Sequence, residues 1–318
     1  MIYPNASTYF DTISIAQYIA VHSIAASIGI FAIASNATVM WAYYKYQQMR
    51  QQNCAHLIAA LACCDFFAGF GGLAMGLARL RIVLLDYYDF SRLYCIGTSI
   101  CWLVALEMSQ FVTAAIAIDR LRAMTWPVSY ANSNHRTFAR NSFAVALLAG
   151  FTVLTFSFLM VQFEVQPERC TWTMAVTSRS TDAFLSCNMI IGLAVAAFYV
   201  IAMYQKKKHT SNRVGESRGG ETESVIQAKV TRLVTTLVLF HLVLVELPLL
   251  VLYCALKFGD HAIAGSYISP IANTCLSLSS VVNFFLYANS SSNLQPYVSK
   301  TMRCGFTSAS RRHRAEAC

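Results

Sequence analysis

"AIAIDRLRAMTWP", Ala115 to Pro127, ends a long apolar run with an acid and a base side by side, Asp119 and Arg120. A proline, Pro127, closes the stretch. Paired opposite charges at the end of an oily segment either mark a membrane boundary or work at it. The rest of the chain favours a membrane. Of its 318 residues 56% are hydrophobic and 12% are charged, with a mean hydropathy of +0.49. A soluble domain of this size needs more charge to cover its surface. The formal charge of +9 does not point to nucleic acid, because the basic residues sit in the gaps between apolar runs rather than on one module. The expected solvent is the lipid bilayer.

Seven runs are long enough to cross roughly 30 Å of hydrocarbon as helices: 16–44, 55–80, 92–123, 140–162, 181–205, 229–256 and 265–289. The longest polar connection, Lys206 to Ser224, is rich in Gly, Ser and charge and reads as a mobile loop. Lys and Arg set the orientation. Of the 24, only Arg79, Arg81, Arg92, Arg169, Arg179 and Lys257 fall on the side opposite Arg120. That side is therefore outside, with the N-terminus, and the tail is cytosolic. The start, "MIYPNASTYFDTIS", lacks the basic and apolar parts of a signal peptide. It carries a glycan sequon at Asn5. The expected layout is an extracellular tail over 1–15, the seven-helix domain over 16–289, and an amphipathic helix with cytoplasmic tail over 290–318.

In "SSNLQPYVSKTMRC" the apolar residues Leu294, Val298 and Met302 recur at helical spacing, and Ser292 stands where a cap is needed. This predicts a short amphipathic eighth helix on the inner leaflet, with Cys304 as a palmitoylation candidate. The fold class is thus all-α, a seven-transmembrane helix bundle plus that helix. Six of the eleven cysteines, Cys63, Cys64, Cys101, Cys187, Cys254 and Cys275, lie inside apolar runs and read as small buried hydrophobes; no zinc spacing occurs. Cys95 and Arg120 are separated by ~38 Å on a helix, close to a full crossing. Cys95 then lies at the outer face, and Cys170 is the other cysteine clearly in an outer loop. Topology therefore predicts a Cys95–Cys170 disulfide.

Several landmarks together resemble the rhodopsin-like (class A type) G-protein-coupled receptors over nearly the whole chain. They are "SNATV" with Asn36, "LACCD" with Asp65, Cys95, "DRL" at 119–121, Pro127, "ELP" with Pro248, and "NFFLY" from Asn283 to Tyr287. The resemblance implies a receptor, not an enzyme, that signals through a heterotrimeric G protein from the plasma membrane. It assigns the coupling switch to Asp119, Arg120, Leu121, Pro127, Asn283 and Tyr287, with the acid restraining the arginine. Departures are Leu121 for the usual tyrosine, Phe284 for a proline, Glu246 for a tryptophan, and Ala228 near where many members place a second acid. This erosion is similar to nematode serpentine chemoreceptors of the Srsx type, and implies a chemosensory role. A peptide or neuromodulator receptor of the same fold is the alternative.

The seventh run contains no lysine, so a retinal Schiff base is excluded. Trp102 stands where aminergic relatives carry an anchoring aspartate, which argues against a monoamine. The ligand is expected to be a small molecule or short peptide. Candidate pocket residues are Trp102, Leu106, Glu107, Asn188, Glu246 and Asn273; helix packing explains Trp102 and Leu106 equally well. No cofactor is expected apart from a sodium ion that the resemblance places in a polar core of Asp65, Asn36, Ser109, Ser279 and Asn283. Glu246 is expected to join Asp65 there, the alternative being a structural hydrogen bond to a backbone carbonyl. A channel or transporter using Asp65, Glu107 and Glu246 is the competing class, since buried carboxylates are expensive and usually functional. No inverted repeat supports it. No metal or nucleophile motif surrounds His22, His56 or His241, and His56 and His241 read as packing residues.

Overall fold

The computed structural model describes residues 14–51, 55–85, 90–161, 170–213, 235–259, 263–290 and 296–301. Seven helices are long and apolar enough to cross a membrane. They are α1 (Ile15–Lys45), α2 (Ala55–Leu84), α3 (Arg92–Thr125), α4 (His135–Leu159), α5 (Ser178–Arg213), α6 (Thr235–Phe258) and α7 (Ser269–Ser290). Among the described residues no strand forms; one antiparallel bridge joins Val161 to Val176.

Local chemistry sets the helix starts. Ser14 caps α1 in a capping box with Gln17, and Ser91 caps α3 by accepting from the Tyr94 N–H at 3.1 Å. Asn134 caps α4 by accepting from the Thr137 N–H at 3.0 Å. That cap starts α4 at His135, five residues before the apolar pattern begins. At its other end α5 runs on to Arg213, so the first part of the polar stretch expected to be a mobile loop is helical. Hydropathy does not read these ends, because polar residues such as Lys and Gln are good helix formers. α6 contains a π-helical turn, Leu242–Glu246, directly before Pro248. The Leu247 N–H bonds five residues back to Leu242, and Pro248 has no N–H to continue an ordinary ladder. A second π-helical turn, Ala264–Ile268, leads into α7.

α3 runs through the middle of the bundle, whereas α4 is peripheral and buries 17% of its apolar window. At Gly71 of α2 the backbone lies against that of Trp102 on α3, and a Cβ there would collide with it. Phe31, Trp41, Leu148, Ile190 and Leu193 are all exposed on helix faces. Such a skin is a liability in water and the normal surface in lipid. The interior splits into two apolar clusters. One, toward Arg120, includes Met49, Leu61, Ile116, Val195 and Phe284. The other, toward the Cys95–Cys170 disulfide, includes Trp102, Trp172, Leu249 and Leu276.

Residues 296–301 are helical. Val298 is almost fully buried and belongs to the cluster with Met49, and the Tyr297 hydroxyl donates to Gln48 at 3.0 Å. This segment therefore packs against the short helix Gln47–Arg50 that follows α1. Leu294, Met302, Cys304 and Asn5 lie outside the described residues, as does the side chain of Tyr287.

Candidate functional site

At the Arg120 end, α3 stops at Trp126, and Pro127 opens a short helix, Pro127–Ala131. A proline at that position loses nothing, since its missing N–H would be unpaired there anyway. The turn returns Tyr130 to the end of α3. Its hydroxyl donates to the Asp119 carboxylate at 3.1 Å, and Arg120 donates to the Tyr130 oxygen at 2.9 Å. Arg120 also pairs directly with Asp119, with Nε at 3.1 Å. The side chains of Asp119 and Arg120 are 3% and 13% exposed, so both charges are largely out of water and depend on each other. Tyr130 was not among the expected switch residues; the sequence offers no fixed spacing that would single it out. Leu121 is half-buried and Pro127 is exposed, and neither carries a polar group into this clasp. Nearby, the Tyr199 hydroxyl of α5 bonds Thr235 of α6.

Toward the middle, the buried Asp65 carboxylate accepts from Asn283 at 2.9 Å and from Ser280 at 3.1 Å. Asn36 donates to the Ser280 carbonyl at 3.3 Å, which ties α1 to the same group. Ser109 and Ser279 line a small cavity of about 20 Å³ beside Asp65, together with Ser280 and His241. Ser280, rather than the expected Ser279, is thus the serine that bonds Asp65.

Glu246 does not join Asp65 by any bond. It accepts from Gln110 of α3 at 2.7 Å and lies 3.3 Å from His241 Nε2, which is itself 3.1 Å from Gln110 Oε1. The reason is its direction: Glu246 points across to Gly192 of α5, where a Cβ would collide with its carboxyl. His241 is therefore part of a polar triad, not a packing residue. A polar pair five residues apart before "LP" was the available signal for it.

The expected ligand-pocket residues separate. Trp102 and Asn273 line a cavity of about 60 Å³ at the disulfide end, together with Tyr18, His22, Arg79, Trp172 and Phe184. Leu106 lines the small cavity beside Asp65. Asn188 donates to Glu107 at 3.1 Å. Glu107 opens instead on a lateral groove of about 440 Å³ between α3, α4 and α5. Arg79, an outer-flank charge by its place in the sequence, is 3% exposed. His56, near the Arg120 end, shares a 2.6 Å hydrogen bond with the Tyr43 hydroxyl. No cluster of three or more His, Cys, Asp or Glu suited to a metal occurs among the described residues.

A seven-helix membrane bundle with an acid–arginine clasp at one end and a disulfide-roofed cavity at the other has the architecture of a receptor. Residues 35–293 match the family described as 7 transmembrane receptor (rhodopsin family), and the chain belongs to that family. It is therefore a multi-pass membrane receptor of the G-protein-coupled class and not an enzyme. The crystal structure of squid rhodopsin shares the fold: TM-score 0.74, 94% of this chain and 89% of that chain covered, at 16% identity. The RYamide receptor of Drosophila melanogaster is 29% identical over 123 residues. That match covers 39% of this chain and only 24% of the relative's length. A relative so named agrees with the peptide-receptor alternative and lends no support to the nematode chemoreceptor subtype.

Proposed function

We propose that the protein binds a small molecule or short peptide in the cavity at the disulfide end and activates a heterotrimeric G protein at the Arg120 end. The N-terminus is then extracellular and the tail cytoplasmic, in the plasma membrane, as the distribution of Lys and Arg requires. The observation that carries the reading is the clasp of Asp119, Arg120 and Tyr130, whose largely buried charges lie where a partner could take the arginine over. A ligand that favours an arrangement with Arg120 released shifts the population toward coupling. A peptide ligand is supported by the similarity to the RYamide receptor.

Asp65 with the Ser109, Ser279 and Ser280 hydroxyls offers hard oxygen donors around one cavity, a donor set that fits a sodium ion. Held there, the ion would favour the packing in which these helices converge.

The channel reading is weaker on this geometry. Glu107, Glu246 and Asp65 are held by three separate sets of neighbours rather than along one polar path. The test is a screen of short peptides and small molecules on cells carrying a promiscuous G protein. A response that vanishes without the G protein supports the receptor reading. Current that persists without it contradicts that reading.

A further inference from the structure

Arg79 has no carboxylate partner among the described residues. Its guanidinium donates to the Ser99 hydroxyl at 3.2 Å and to the Cys170 sulfur at 2.6 Å, both neutral. A disulfide sulfur is a weak acceptor. The side chain is buried, lines the cavity at the disulfide end, and carries a cationic guanidinium. Burying an unpaired cation is expensive, and the usual compensation is an anion.

Among the described residues the surroundings do not supply that anion. No Asp or Glu among the described residues lines this cavity. The three carboxylates deeper in the bundle are engaged elsewhere, and Asp182 is paired with Lys257. The remaining walls are mainly apolar and aromatic, with Trp102, Trp172 and Phe184 prominent, and His22, Thr171, Thr173 and Ser269 add neutral or weakly basic polar groups but no acid. Asn273 adds a neutral polar group.

Resting on the reading of this cavity as the ligand site, we infer that the receptor selects an organic anion, with a carboxylate seated on Arg79 and an apolar or aromatic body against the tryptophans. A planar guanidinium suits a carboxylate because it offers two parallel donors. Ser99, already bonded to Arg79, holds the fork in place. A cationic ligand would meet an unshielded like charge in a low-dielectric cavity.

The probe is 3-phenylpropanoate against its neutral amide, measured by thermal unfolding of purified full-length receptor in detergent. This readout needs no G protein, so its outcome is independent of whether the chain couples to one. The acid should raise the unfolding temperature saturably while the amide, of the same size, should not. Arg79→Gln should weaken the acid's affinity about tenfold to a hundredfold. Arg79→Lys, which keeps the charge, should restore part of it. Equal shifts from acid and amide, or none from either, would overturn the inference. So would an acid effect that emerges only once Glu164 and Glu168 are replaced by Gln, because that loop would then be the counter-ion.

Discussion

Gln110 on α3 donates a 2.7 Å hydrogen bond to Glu246 on α6, across the centre of the bundle and directly before the π-helical turn gives way to Pro248. Gln110 therefore bridges the helix that carries Arg120 to a helix interrupted by a π-helical turn and Pro248. Gln110→Leu leaves the Glu246 carboxyl with His241 alone. We expect a loss of about 1–3 kcal/mol in stability, read as a lower unfolding temperature, together with higher basal signalling. An unchanged unfolding temperature would show that the bridge is not part of what holds α6.

Gly192 tests the same contact from α5. A methyl group there meets the Glu246 carboxyl, and relief requires the carboxyl to leave Gln110 or α5 to move. Gly192→Ala should destabilise the receptor by roughly 1–3 kcal/mol. In a Glu246→Ala background the added methyl should cost much less, and a double-mutant cycle measures the difference.

The Cys95–Cys170 disulfide closes 75 residues and anchors the segment before α5 to the start of α3. Cys95→Ser or Cys170→Ser should lower surface expression sharply, consistent with the ~2–5 kcal/mol that such bridges contribute. Peptide mapping of folded receptor should recover the two cysteines as one linked pair.

Asp119→Asn removes the charge that holds Arg120 and should raise basal signalling; Tyr130→Phe, which loses only the hydroxyl, should raise it less. Both are read in membranes without ligand. If Asp119→Asn is as quiet as the wild type, the clasp is not a restraint.

The helix count was legible because hydropathy reports burial in lipid directly. The disulfide partners were legible because charge asymmetry sorts the loops by side. What the sequence concealed were contacts set by helix rotation. Gln110 and His241 lie on different helices, and nothing in either segment shows that they face one another. Arg79 looked like a flank charge because its position along α2 is terminal, whereas its burial depends on Ser99 and Cys170 from elsewhere in the chain. Glu246 is expected beside Asp65 from the sequence, but its direction around α6, toward Gly192, takes it to Gln110 and His241 instead.

Arg120 carries the central claim, that the end of α3 with Asp119 and Tyr130 is the coupling switch. The most direct measurement is guanine-nucleotide exchange on a heterotrimeric G protein by membranes carrying Asp119→Asn, alone and combined with Arg120→Ala. Asp119→Asn should raise ligand-free exchange above that of the wild type, and adding Arg120→Ala should bring it back to the level of membranes without receptor, at equal surface expression. Exchange that stays high in the double variant would contradict the account, because activation would then not pass through Arg120.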